Sequence, residues 1–143
     1  MHDIPVFHQI KNHFIAIISL IIAITALTYN TWREEETEKN RTIRLAAFEV
    51  LKNLGELQAV VNYAHFETEN KMGNSITGWG HIALISDLST LLPPSIPQTV
   101  SNLTKTWGAN YKSLGTSDKS VEEISQEIDN SRTSILDVLH QLR

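Results

Sequence analysis

The sequence predicts an all-α protein, in which one N-terminal transmembrane helix continues into an antiparallel four-helix bundle with coiled-coil-like seams. An uncharged apolar run lies near the N-terminus. Later segments repeat apolar residues every three or four positions, and none alternates with a period of two for long enough to be a strand. Short connections between helices favour antiparallel neighbours. The predicted domains are a tail at 1–11, an anchor at 12–32 and a bundle at 33–143 with helices at about 33–70, 77–92, 96–114 and 120–142.

The anchor is the part of the chain from Asn12 to Trp32, which contains no Asp, Glu, Lys or Arg. About 20 such residues cross the hydrocarbon core of a bilayer as a helix. Tyr29 and Trp32 lie at its far edge, where amphipathic rings prefer the headgroup level. A cleaved signal peptide is the alternative, but Ile24-Thr25-Ala26 matches the small-x-small cleavage pattern poorly. The sequence therefore favours an uncleaved single-span anchor.

Small side chains form a stripe along this anchor, at spacings of three and four residues. Such a stripe lets two membrane helices approach closely, so it is a predicted contact surface for another membrane helix. The alternative is that small residues are simply common in membrane spans. The stripe consists of Ala16, Ser19, Ala23 and Ala26.

Two signals conflict on which side of the membrane carries the bundle. Lys11 is the only Lys or Arg before the span, whereas Arg33, Lys39, Arg41 and Arg44 follow it, which predicts a cytoplasmic bundle. A short tail before a single span more often stays inside while the remainder is exported. We expect a single-pass protein of a bacterial inner membrane with a periplasmic bundle.

The segment "NTWREEETEKNRTIR" decides whether the membrane helix continues. It has neither Gly nor Pro, and Glu35 precedes Lys39 by four residues, the favourable order for a helical ion pair. An apolar seam follows it directly, with alternating spacings of four and three. We therefore predict one uninterrupted helix to about Asn70. The seam is Ile43, Ala47, Val50, Leu54, Leu57, Val61 and Ala64.

Three further helices are predicted from helix-breaking residues, capping patterns and the periodicity of apolar residues. The segment "NKMGNSITGWGH" supplies glycine breakers at 73, 78 and 80, and Pro93-Pro94 ends the second helix. Ser95 and Ser120 are each followed three residues later by Gln or Glu, which predicts capping boxes for the third and fourth helices. The fourth helix carries the seam Val121, Ile124, Ile128, Ser131, Ile135, Val138 and Leu142.

The sequence contains no recognisable catalytic, metal or cofactor motif. The absence of cysteine excludes disulfides and thiolate chemistry, and a net charge of −4 disfavours nucleic acid. His65 and Glu69 share one helical face, but zinc needs three or four ligands. The segment "GNSITGWG" lacks the Lys-Ser/Thr of a phosphate loop. We expect no enzyme activity and no cofactor.

Two functions remain. The first is a non-catalytic interaction or scaffold subunit, anchored in the bilayer and bound to another membrane protein or to itself. The alternative is a small-ligand-binding sensory bundle that signals through a separate partner; its layout is similar to the sensory bundles of chemoreceptors, without a shared motif. In either case Trp79, Trp107 and Tyr111 are the candidate partner or ligand contacts, although aromatic residues at helical spacing more often fill a core.

Overall fold

The computed structural model describes residues 6–67 and 73–142, with side chains from residue 13 onward. Its α-helices are α1 (Val6–Phe66), α2 (Ser75–Ser89), α3 (Ser95–Asn110) and α4 (Asp118–Gln141), and a 3-10 turn at Tyr111–Ser113 follows α3. The described ranges hold no strand. The predicted all-α class and the four helices are confirmed.

Helix α1 runs without interruption through the charged segment, as its lack of Gly and Pro predicts. It begins at Val6, earlier than predicted, and ends at Phe66 instead of near Asn70. Threonine hydroxyls along it donate to carbonyls four residues earlier, so these polar groups are satisfied within the helix. These bonds join Thr25 to Ile21, Thr28 to Ile24, Thr31 to Leu27 and Thr37 to Arg33, at 2.8–3.0 Å.

Among the described helices, α1 is the one long and apolar enough to cross a membrane, judged by length and composition. The contacts within the chain divide it into two units, Met1–Lys39 and Asn40–Arg143. The apolar span belongs to the first unit, and the hydrophobic core belongs to the second. The core therefore contains no residue of the span.

The core draws residues from all four helices. On α1 the predicted seam is buried from Ile43 to Val61, whereas Ala64 is half-buried. On α4 the predicted seam is buried from Ile124 to Val138. Helix α2 contributes Ile82 and Ile85, and the connection after it contributes Leu92; α3 contributes Ile96, Val100, Leu103 and Trp107. Burial of these faces supplies the main driving force for folding of the second unit.

Side-chain contacts between α1 and the region of α4 follow opposite directions along the two segments. Contacts near the end of α1 reach the beginning of α4, and a contact near residue 44 reaches its end. They are His65 to Asp118 at 3.2 Å, Gln58 to Ser125 at 3.0 Å, and Arg44 to the carbonyl of Leu142 at 3.2 Å.

Both predicted capping boxes are wrong in position. Helix α4 begins at Asp118, because Ser117 is its capping residue and its side chain accepts from the Ser120 backbone N–H. Ser120 is itself buried, and its hydroxyl donates to Asn110. Ser95 already lies within α3, which starts after Pro94 without any side-chain cap. Pro94 has helical dihedrals, so it cannot offer the extended geometry of a capping residue.

The predicted glycine breakers do not end a helix at residues 78 and 80. Both glycines lie inside α2, which begins at Ser75 with Asn74 as its cap. The Asn74 side chain accepts from the Ile76 backbone N–H at 2.8 Å. The Asn74 cap and the burial of Ile82 and Ile85 therefore outweigh the low helix propensity of glycine.

Candidate interaction surfaces

The apolar segment of α1 exposes its side chains on all sides. From Phe14 to Leu27 the large aliphatic and aromatic residues are 42–69% exposed. The small-residue stripe at Ala16, Ser19, Ala23 and Ala26 lies on this segment and is exposed as well. An apolar surface of this extent is stable only when lipid or another protein covers it.

The three aromatic residues singled out from the sequence lie together in the second unit. The rings of Trp107 and Tyr111 are stacked, with centroids 6.2 Å apart. Trp79 approaches both edge-on, at 6.4 Å from Trp107 and 5.7 Å from Tyr111. Such edge and offset geometries are the favoured arrangements of aromatic pairs. The three candidate contacts therefore form one aromatic cluster, and their role as partner or ligand contacts stays a prediction.

Burial separates the roles of these three rings. Trp107 is fully buried, Tyr111 is half-buried and Trp79 is 38% exposed. The six-membered ring of Trp107 lies so close to Gly78 that a Cβ at that position would overlap it. Its indole Nε1 has no hydrogen-bond partner among the described residues. Trp107 therefore fills the core, and Trp79 is the most exposed member of the cluster.

A cleft of about 450 Å³ lies between α2 and α3. Its volume falls within the range of small-molecule sites. Ser89, almost fully buried, donates to the Ser86 carbonyl at 2.7 Å, and Thr104 donates to the Val100 carbonyl at 2.9 Å. These hydroxyls therefore already have backbone partners. The lining residues are Ser86, Ser89, Thr90, Pro97, Val100, Ser101, Thr104 and Lys105.

A second groove, of about 310 Å³, is lined by three glutamates of α4, namely Glu122, Glu123 and Glu127, together with Thr106 and Gln126. Glu123 accepts from the Asn110 amide at 2.9 Å and pairs with Lys119 at 3.5 Å. Within the described part of the chain, no group of three or more His, Asp or Glu side chains is placed to hold a metal ion. The groove is a negatively charged surface stabilised by local contacts.

His65 joins the end of α1 to the start of α4 and to the segment before it. Its Nδ1 lies 2.9 Å from the Leu114 carbonyl, and its Nε2 lies 3.2 Å from the Asp118 carboxylate. A carbonyl oxygen only accepts, so Nδ1 donates there. Glu69, the helical neighbour considered from the sequence, lies outside the described residues. The contacts of His65 make it a structural link.

One exposed apolar surface was not predicted from the sequence. Leu45 and Phe48 are 60% and 59% exposed, on the face of α1 opposite the buried seam. One and two turns further on, the same face carries Lys52 and Gly55, and nothing lies within 4 Å of a Cβ built at Gly55. Ala59 follows. The sequence signal for this surface is a second set of residues spaced by three and four positions. It was overlooked because the stronger apolar seam on the same helix already explained the helical periodicity.

These observations define the class of protein: an all-helical chain with one candidate membrane-spanning helix and a separately packed helical unit. Comparison with family models, curated proteins and solved structures found no match to the chain.

Proposed function

We propose that the chain is a non-catalytic, single-span protein of a bacterial inner membrane whose helical bundle is an interaction or scaffold subunit of a membrane assembly. The observation that carries this proposal is the exposed apolar segment of α1 from Phe14 to Leu27. It continues into a helix whose later half belongs to a packed core. This combination suits a protein that is held at a membrane while a folded surface contacts a partner.

The bundle is proposed to be antiparallel in its pairing of α1 with α4. The order of the contacts supports this arrangement, since they join residues 65, 58 and 44 of α1 to residues 118, 125 and 142. The buried seams of the two helices both follow spacings of three and four, which suits knobs-into-holes packing. The middle helices α2 and α3 complete the core with shorter apolar faces.

Two features support the proposed contacts. The small-residue stripe from Ala16 to Ala26 offers a close-approach face for a membrane helix. Trp79, partly exposed beside Tyr111, offers an aromatic anchor on the bundle, and aromatic residues are enriched at protein interfaces. The proposed partners are the lipid bilayer and a membrane protein, which is either a different chain or a second copy.

The proposal is tested by purification of the tagged full-length chain from detergent-solubilised membranes. We expect one partner in stoichiometric amount. Substitution Trp79→Ser should reduce recovery of that partner, whereas Lys119→Ser, at another exposed position, should not. Recovery of the chain as a free monomer, with no partner and no self-association, would contradict the proposal.

A ligand-binding bundle is the second candidate, and the cleft of about 450 Å³ between α2 and α3 favours it. A small molecule bound there would raise the melting temperature of residues 33–143, because binding to the folded state alone stabilises it. The interaction proposal predicts no such shift from a small-molecule library. The substitution Ser101→Phe would fill the cleft, so it should abolish any shift that is specific to this site.

A further inference from the structure

We infer that the outer seam of α1, defined as Leu45, Phe48, Lys52, Gly55 and Ala59, is a docking surface for a second copy of this chain, with the two α1 helices parallel. This inference rests on the proposed function and names the partner of one surface. It concerns only the second unit, in which all five residues lie.

The spacing of the outer seam is three, four, three and four, the repeat that keeps one face of a helix toward a partner helix. Leu45 and Phe48 expose more than half of their surface, although both are large and apolar. The buried seam from Ile43 to Val61 occupies the opposite face, so the core cannot cover them. Helix α1 therefore carries two seams. One is buried within the chain, and the outer seam is exposed from Leu45 to Gly55 and half-buried at Ala59.

Small residues extend the outer seam beyond its apolar start. The space that a Cβ at Gly55 would occupy is open, and Ala59 is one turn further along. Small side chains let two helix backbones approach closely. Lys52 lies between the two halves, 68% exposed and 3.9 Å from Glu49. A single lysine at a seam position lowers the stability of a helix pair while specifying its register.

The charges that flank the seam favour a second copy in parallel orientation. Arg44 directly precedes Leu45, and Glu49 directly follows Phe48. In a parallel helix pair, the residue just before a seam position lies opposite the residue five positions later on the other helix. Arg44 of each copy therefore faces Glu49 of the other. An antiparallel pair centred on Lys52 would separate Arg44 from Glu49 of the other copy.

The contacts that Arg44 and Glu49 make within the chain leave both side chains available for pairing with a second copy. Arg44 is exposed and donates to the Leu142 carbonyl at 3.2 Å, and Glu49 forms a long pair with Lys52. Exposed contacts of this kind contribute little to stability. Two copies anchored with the same topology also carry their chains away from the membrane in the same direction, which agrees with the parallel arrangement.

Disulfide cross-linking in membranes tests the inference directly, because the chain has no cysteine of its own. The full-length variant Phe48→Cys, treated with a mild oxidant, should shift to the mass of a dimer on a non-reducing gel. A disulfide requires Cα atoms within about 7 Å, so the matched variant Lys105→Cys, exposed on α3, should form roughly tenfold less dimer.

Direction is tested by co-expression of Leu45→Cys and Ala59→Cys chains that carry different tags. The parallel arrangement predicts disulfides between equal positions and none between position 45 and position 59. Disulfides between positions 45 and 59 would overturn the parallel pairing. Failure of both Phe48→Cys and Leu45→Cys to form dimers would overturn the inference as a whole.

The variant Phe48→Glu separates this inference from the proposed function. It should abolish self-association while its helical circular dichroism and melting temperature stay at the parent values, because Phe48 is exposed. If no dimer forms in the parent and Phe48→Glu instead releases a different co-purified protein, the second copy is refuted and the interaction function stands. If neither dimer nor partner is found, both proposals fail.

Discussion

The indole ring of Trp107 lies against the backbone of Gly78, in a space that any side chain at residue 78 would occupy. This contact joins α2 to α3 and allows the largest side chain of the core to be fully buried. It also explains why a glycine stands inside α2, where glycine otherwise lowers helix stability.

Substitution Gly78→Ala should destabilise the protein by about 1–3 kcal/mol, because the added Cβ overpacks the site against Trp107. Gly80→Ala is the matched control in the same helix, since nothing lies within 4 Å of a Cβ built there. That variant should be more stable by about 0.5–1 kcal/mol, the gain in helix propensity. Urea unfolding of residues 33–143 measures both; equal effects of the two variants would show that the contact has no energetic role.

Substitution Ser117→Ala should cost about 1 kcal/mol, because it removes the side-chain acceptor of the Ser120 backbone N–H at the start of α4. Ser95→Ala should change the free energy of unfolding by less than about 0.5 kcal/mol, since Ser95 is exposed inside α3 and does not cap it. Thermal unfolding of the two variants ranks them. A larger effect at Ser95 would support the capping positions predicted from the sequence.

Substitution Leu54→Asp or Ile128→Asp should unfold the second unit, because both side chains are fully buried and an unpaired carboxylate there costs several kcal/mol. Exposed Glu35→Ala should change stability by less than about 0.5 kcal/mol. Circular dichroism at increasing temperature gives the comparison. A Leu54→Asp variant that melts like the parent would refute the core position of the α1 seam.

Substitution Thr37→Pro should leave the melting temperature of residues 33–143 nearly unchanged. Proline inside a helix costs about 3 kcal/mol through a lost backbone bond and a clash with the preceding turn. Thr37 precedes Asn40, where the second unit begins, so the damage should stay local. In the full-length protein the variant should weaken any activity that requires a rigid link to the anchor. Unfolding of the isolated segment would instead make residue 37 part of the core.

Alkaline phosphatase fused after Arg143 should be active in cells, because we propose that the bundle is periplasmic and this enzyme folds to its active form only after export. A cytoplasmic reporter at the same position is the control and should be inactive. The reverse result would place the bundle in the cytoplasm, as the excess of Lys and Arg after the span predicts.

Much of the fold could be predicted because the helical segments are indicated by the local periodicity of their apolar residues. The alternation of apolar residues from Ile43 to Val61 is sufficient to identify the face that becomes buried. The clustering of Trp79, Trp107 and Tyr111 was not predicted, although all three were named as candidate contacts. It required two helices to place their rings together, and the structure then assigned Trp107 to the core.

The sequence by itself determined where helices form and which α1 and α4 faces are apolar, because hydropathy and the helical period act within a few residues. Only the tertiary structure decided the role of Gly78. A glycine is required there because of the Trp107 ring, which lies 29 positions away in the chain. It also decided the start of α4: Ser120 matches a capping pattern locally, but its hydroxyl is buried against Asn110, and Ser117 therefore caps the helix. Contacts between segments set these outcomes, and local patterns do not encode them.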